Sequence, residues 1–338
     1  VREVVEKGQA ALAVDTRADE RFAGAESIIA AGARSLMAAP LADAEGCLGM
    51  VALYSRLRER AFTEEDLELL ASLASVAALR VRNLSLAQAA VERERLESEV
   101  QSARRLQMSL LPKLLPEPPG YELWAVNSAS RVVSGDYYQI MERNEGEECA
   151  VLIADVSGKG MAAALLTASL EAICSGLIAA GGEPHEILSK ACRFLYERTP
   201  PDKFATAVLA ILTPGSGAVR MVNAGHNPPC VLRSTGAVEQ IDATGFPLGL
   251  LPDADYDQRD LVLEAGDLVV LYTDGIVEAA NPAGDEFGLD RLVELCLAER
   301  HGDLAEIGAA IERELTAFAA GVPFGDDRTL ALVRRSGG

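Results

Sequence analysis

Ala150-Val151-Leu152-Ile153-Ala154-Asp155-Val156-Ser157-Gly158-Lys159-Gly160 joins an uninterrupted apolar strand to a small-residue turn, with a carboxylate at the junction. The same design recurs twice. Leu268-Val269-Val270-Leu271-Tyr272-Thr273 runs into Asp274-Gly275, and Gly325-Asp326-Asp327-Arg328 leads into Thr329-Leu330-Ala331-Leu332-Val333. A fourth aspartate, Asp136, sits in Ser134-Gly135-Asp136-Tyr137-Tyr138. Strands this apolar are buried, and a carboxylate at the end of a buried strand needs a partner. Converging carboxylates repel one another unless cations neutralise them, and hard divalent cations with oxygen ligands do so best. Any one of these aspartates is equally explained as a turn residue or a helix cap. Four in one segment point to a metal centre built from carboxylates. No rival constellation competes: His185, His226 and His301 are scattered, and the six cysteines contain no C-x-x-C pair.

At 338 residues, 49% of them apolar, the chain is long enough for two or three core-forming domains. A formal charge of −20 argues against a nucleic-acid binder, which needs a basic face. No apolar run in the sequence approaches the roughly 20 residues that span a bilayer, so no membrane span is expected. The polar opening Val1-Arg2-Glu3-Val4 carries no signal peptide and reads as the start of a fragment of a longer protein. Cysteines such as Cys149 and Cys174, in apolar contexts, read as reduced core thiols of a cytoplasmic protein.

Three segments are expected: 1–83, a helical linker over 84–116, and 117–338. In the first, Cys47 to Tyr54 is the clearest strand, entered through a hairpin turn at Asp43-Ala44-Glu45-Gly46. Thr63 and Asp66 make a helix N-terminus, with Phe62 placed to staple onto Leu67; Leu67, Leu70, Leu73, Ala74 and Ala77 then share one face. No Gly or Pro interrupts this helix before Pro112. Leu96, Val100, Ala103, Gln107 and Leu110 follow alternating spacings of four and three among charges, the pattern of a short parallel coiled coil that would pair two copies of the chain. Beyond Pro119, apolar strands at 205–212, 219–223, 230–233 and 268–272 alternate with helices at 160–180, 184–198, 289–299 and 304–320. This mixture predicts a layered α+β domain. Neither G-x-x-x-x-G-K-[ST] nor a strand-linked G-x-G-x-x-G is present, so no nucleotide-binding loop is indicated.

In order and spacing, the motifs of residues 121–335 resemble the metal-dependent protein phosphatases of the PPM class, in their SpoIIE/RsbU-like bacterial branch. The stretches that carry the resemblance are Arg131-Val132-Val133-Ser134-Gly135-Asp136-Tyr137-Tyr138, Ala154-Asp155-Val156-Ser157-Gly158-Lys159-Gly160, Phe204-Ala205-Thr206-Ala207 and Asn223-Ala224-Gly225-His226-Asn227-Pro228-Pro229. Gly245-Phe246-Pro247-Leu248-Gly249, Tyr272-Thr273-Asp274-Gly275-Ile276-Val277-Glu278-Ala279 and Asp326-Asp327-Arg328-Thr329-Leu330 complete them. The resemblance implies a β-sandwich flanked by helices with two Mn²⁺ or Mg²⁺ ions at one end. It implies Asp136 and Asp155 as ligands, Asp155 bridging, with Val156 adding its carbonyl. Asp274 and Asp326 would hold the second ion, Asp327 being the adjacent alternative. Arg131 matches the position that contacts substrate phosphate. Gln139 departs from the branch, which shows an Asp after the aromatic pair. Residues 1–83 resemble the later two-thirds of a GAF domain, through Ala13-Val14-Asp15, Arg21-Phe22, residues 34–41, Leu48-Gly49-Met50-Val51 and residues 61–66.

The implied function is hydrolysis of a phosphoserine or phosphothreonine protein, such as a STAS-type anti-sigma-factor antagonist, by water activated between two metals. Two alternatives stay open: a catalytically silent GAF and coiled-coil module for sensing and dimerisation, and a two-metal phosphohydrolase of small phosphoesters.

Overall fold

The computed structural model describes residues 2–19, 32–56, 61–130 and 132–337, with the side chains of Arg2 and Glu3 left aside. Arg131 and the Arg21-Phe22 pair of the GAF resemblance lie outside the described residues. The chain divides into two compact units, Val1–Glu97 and Ser98–Gly338.

In the first unit, helix α1 (Arg2–Lys7) precedes an antiparallel sheet of β1 (Ala11–Ala13), β2 (Ser35–Asp43) and β3 (Gly46–Ser55), in that order. The hairpin between β2 and β3 turns at the expected Asp43-Ala44-Glu45-Gly46, where Asp43 Oδ1 accepts from the Glu45 and Gly46 backbone N–H groups. Helix α2 (Glu64–Met108) starts on a reciprocal cap: Asp66 Oδ2 accepts from the Thr63 N–H at 2.9 Å and Thr63 Oγ1 from the Asp66 N–H at 3.3 Å. Such a cap stabilises a helix start by about 1 kcal/mol. Met37, Ala39, Leu70 and Ala74 form the small core, with Phe62 and Leu67 packed against it. The buried face of α2 is therefore Leu67, Leu70, Ala74 and Ala78, whereas Leu73, expected there, is 59% exposed. A period of 3.6 carries position 73 off the stripe that 70, 74 and 78 define.

The second unit is a four-layer sandwich. One sheet runs β10 (Val238–Gln240), β9 (Cys230–Leu232), β12 (Leu268–Tyr272), β13 (Arg328–Arg335), β4 (Tyr121–Ser128). The other runs β11 (Arg259–Val262), β8 (Ala218–Ala224), β7 (Ala205–Leu212), β6 (Glu148–Val156), β5 (Asp136–Arg143). Every pairing is antiparallel. Alternation along the strands explains their unbroken apolar character. On β6, Val151 and Ile153 join Val269, Leu271, Ala331 and Val333 in the core between the sheets. Leu152 and Ala154 face the opposite way, onto α3 (Met161–Ala179) and α4 (Pro184–Arg198). Leu330, Leu332, Val270 and Tyr272 face outward onto α6 (Leu289–Glu299) and α7 (Leu304–Ala319). A strand covered on both faces has no polar alternation to show.

The expected α+β sandwich flanked by helices is thus the observed one. Periodicity does not reveal strands β4, β5, β10 and β11; β10 and β11 are short and carry exposed residues. The expectation about membrane spans needs correcting on length and composition alone, because α2 and α3 are both long and apolar enough to cross a bilayer. In α3 the apolar residues serve the sandwich: Leu170, Cys174 and Ile178 are fully buried.

Candidate metal centre

Sheet register brings the four aspartate motifs to one edge of the sandwich. On β5 and β6, Asp136 stands directly opposite Asp155, and Thr206 of β7 lies beyond it. Gly135 permits this approach: a Cβ there would come within 3.1 Å of the Val156 carbonyl oxygen and 3.5 Å of Asp155 Oδ1. In the other sheet Tyr272 pairs with Leu330, so Asp274 and Asp326 leave neighbouring strands at the same end. A short helical turn, α5 (Asp274–Val277), follows β12. A Cβ on Gly275 would meet the Asp327 carbonyl oxygen at 1.9 Å, so only glycine lets these two loops close.

Hydroxyls cross-link the sheets at the site. Asp136 is buried, and its Oδ2 accepts from Thr273 Oγ1 at 2.6 Å and Thr329 Oγ1 at 2.7 Å. Thr273 Oγ1 in turn accepts from the Thr329 N–H at 2.8 Å. The adjacent aspartates that the sequence left open have different surroundings. Asp327 Oδ1 accepts from the Ser130 N–H at 2.7 Å and Oδ2 from the Gly135 N–H at 2.6 Å. Each oxygen accepts from one backbone donor, so Asp327 anchors the loop that presents Asp136. Asp326 Oδ1 accepts from the Asp327 N–H at 2.9 Å, and its Oδ2 pairs with the Lys159 ammonium at 2.7 Å.

The carboxylates press on one another. Burial, then the charge of Asp155, holds the Asp136 carboxyl well above its ordinary range, against the two threonine hydroxyls that favour its ionised form. Burial and the charges of Asp274, Asp326 and Asp327 push Asp155 up to about 7. Asp274 is raised by burial and then by Asp326. Such a set, oxygen-only and electrostatically unsatisfied, fits hard divalent cations. Among the described residues no three carboxylate, imidazole or thiol groups are gathered closely enough to hold an ion as they stand. Threonine hydroxyls on Asp136 and the ammonium on Asp326 occupy positions around the ligand oxygens instead.

A supporting layer escaped the sequence. Gln107, expected in a coiled-coil seam, grips the loop before Asp136: its Nε2 donates to the Ser134 carbonyl at 2.6 Å and its Oε1 accepts from the Ser134 N–H at 2.9 Å. Its polarity thus serves this backbone clamp. Thr167 of α3 donates to the Gly135 carbonyl at 3.0 Å, and Asn127 of β4 donates to Thr329 Oγ1 at 2.8 Å. His226, one of three histidines scattered in the sequence, is buried between Thr206 Oγ1, 2.7 Å from Nδ1, and the Tyr272 carbonyl, 3.1 Å from Nε2. Burial lowers its pKa to about 4, so it is a neutral tie between the two sheets. The visible signal was a polar residue within or at the end of an apolar strand, as at Thr206 and Thr329. Gln139 projects to the helix side of β5, where it accepts a hydrogen bond from the Tyr137 hydroxyl and contacts Met141.

A profile of the stage II sporulation protein E (SpoIIE) family matches residues 145–336, more than half of the chain. The chain belongs to the SpoIIE family. The match contains Asp155, Asp274 and Asp326, while Asp136 joins them through β5–β6 register. A GAF-domain profile matches residues 1–81. Among relatives of this SpoIIE-family chain, protein IcfG of Synechocystis sp. is 28% identical over 265 residues, 70% of this chain and 42% of IcfG. Phosphoserine phosphatase RsbU of Bacillus subtilis is 28% identical over 204 residues, 60% of each chain. The chain spans about half the length of the curated relatives it matches. The SiaA-PP2C domain of Pseudomonas aeruginosa superposes with a TM-score of 0.65 at 21% identity, covering 73% of this chain and 100% of that one, which shows a shared fold.

Proposed function

We propose that this SpoIIE-family chain is a divalent-metal-dependent phosphatase of phosphoserine or phosphothreonine in proteins. The convergence of Asp136, Asp155, Asp274 and Asp326 at one edge of the sandwich carries this reading. Asp155, which feels the charges of Asp274 and Asp326 and faces Asp136, would be shared between two Mn²⁺ or Mg²⁺ ions. Asp136 and the Val156 carbonyl would help hold one ion, and Asp274 with Asp326 the other. When bound, the cations acidify water at neutral pH and offset phosphoryl charge. The protein's own part is to hold the ligands: Thr273 and Thr329 orient Asp136, Asp327 fixes the Ser130–Gly135 loop, and Gln107 braces Ser134. Arg131 is assigned the substrate phosphate from the resemblance alone.

The substrate class follows from likeness to RsbU, itself a phosphoserine phosphatase. We assign a phosphorylated partner of the STAS anti-sigma-antagonist type, a cytoplasmic location, and a parallel homodimer through the 84–116 linker between the GAF segment 1–83 and the phosphatase segment 117–338. Leu96, 50% exposed on α2, is consistent with that pairing. The test is Mn²⁺-dependent phosphate release from a purified phospho-STAS protein, beside p-nitrophenyl phosphate and an Asp155→Asn control. Release by the wild type alone supports the proposal. Release only from the small ester favours the phosphoester hydrolase, and no release from either leaves a sensing and dimerisation module.

A further inference from the structure

Lys159 lies in the turn that follows Asp155, flanked by Gly158 at φ 97° and Gly160 at φ 79°. Those left-handed conformations favour glycine and let the turn fold back over the site. The Lys159 ammonium lies 2.7 Å from Asp326 Oδ2 and donates to the Gly325 carbonyl at 2.7 Å. Among the described residues this is the one ion pair that the four clustered aspartates make. It is local to one side of the cluster. Its charge acts on Asp274 and Glu278 as well as Asp326, whereas the charges that bear on Asp155 are those of carboxylates. The pair is accessible, with side chains 42% and 36% exposed, so the ammonium can leave into water without stranding a buried charge.

We propose that Lys159 is an exchangeable counter-ion: its ammonium holds Asp326 in the metal-free protein and yields that oxygen to the cation shared by Asp274 and Asp326. The inference rests on the metal assignment above. With the cation absent, the Asp274–Asp326 side still needs a counter-charge, and a flexible lysine between two glycines supplies one. With the cation present, ammonium and metal compete for the same oxygen. Lys159 is thus a positioning residue that sets how much cation the second position requires.

The experiment is competitive acetylation of the whole chain with trace acetic anhydride, read by mass spectrometry, with and without Mg²⁺. Lys190 on α4 is the internal reference. Magnesium binding is followed separately by calorimetry. Release of a surface ion pair predicts a rise in Lys159 labelling of about threefold to fivefold on Mg²⁺ saturation, with Lys190 unchanged. Lys159→Met removes the competitor, so one Mg²⁺ binds more tightly by a similar factor, while Lys159→Arg does not tighten it. Magnesium that binds without altering Lys159 labelling overturns the exchange, as does a Lys159→Met chain with wild-type affinity. Absence of Mg²⁺ binding to the wild type overturns the metal assignment and this inference with it.

Discussion

Asp155→Asn is expected to do opposite things to activity and to metal-free stability. Hydrolysis should be lost, because a neutral amide cannot bridge two cations. The folded metal-free protein should gain stability, and the gain should depend on pH. Asp155 titrates near 3.8 when unfolded and at about 7 in the folded chain, raised by burial and by Asp274, Asp326 and Asp327. Below pH 4 both states are protonated and the site costs nothing. Between pH 4 and 7 the folded state keeps a proton that the unfolded state has released, so stability falls as pH rises and levels off above 7. A rise of about three units at about 1.4 kcal/mol each sets an upper limit of roughly 4 kcal/mol by pH 8 and under about 2 kcal/mol at pH 5. Because Asp136 shares the proton, these figures belong to the pair. The assay is urea unfolding in EDTA at pH 5 and pH 8, wild type beside variant. The advantage of Asp155→Asn should grow by about 2 kcal/mol between those pH values. Excess Mn²⁺ should then stabilise the wild type alone, by about 3 kcal/mol at a hundredfold excess over Kd. A variant no more stable than wild type at pH 8 in EDTA, or a gap flat with pH, would refute mutual carboxylate repulsion as the organising force of the site.

Gln107→Leu leaves the buried Ser134 backbone groups without their partners and should cost about 1–3 kcal/mol in urea unfolding while raising the Mn²⁺ concentration needed for half-maximal activity; an unchanged Mn²⁺ requirement would make the clamp a mere tether. Gly275→Ala forces a methyl against the Asp327 carbonyl and should destabilise by about 1–3 kcal/mol, with metal affinity falling in calorimetry. Arg131→Ala should weaken substrate binding about tenfold or more through loss of a charge-assisted contact, leaving Mn²⁺ affinity intact; unchanged KM and kcat would return Arg131 to a structural role.

Elements with strong local signals were legible. The strands 205–212 and 268–272 and the helices 184–198 and 289–299 match their observed bounds because each is apolar, or periodic, and sharply punctuated. Asp155, Asp274 and Asp326 stood out for the same reason, each beside such a strand, whereas Asp136 opens β5, which periodicity does not reveal. What the sequence could not show is which partner a polar atom finds across the fold. Asp326 and Asp327 are neighbours in sequence, yet only geometry gives one a lysine and the other two backbone N–H groups. Gln107 fits a helical seam by spacing, and the competing claim of Ser134 on its amide is invisible until both are placed. His226 carries no sign in sequence that both its nitrogens are already used.

The hydroxyl bonds to Asp136 bridge 137 and 193 residues of chain, and the Gly135–Asp327 bond bridges 192. Closing loops that long is slow compared with forming hairpins such as β5–β6. During synthesis, Asp136 and Asp155 leave the ribosome long before Thr273, Asp274, Asp326 and Thr329 exist. A nascent chain can therefore complete the β5–β6 hairpin and still lack the means to hold Asp136 in place. The full set of partners around Asp136 arrives only with strand β13, so an unfinished or C-terminally clipped chain cannot assemble the aspartate cluster.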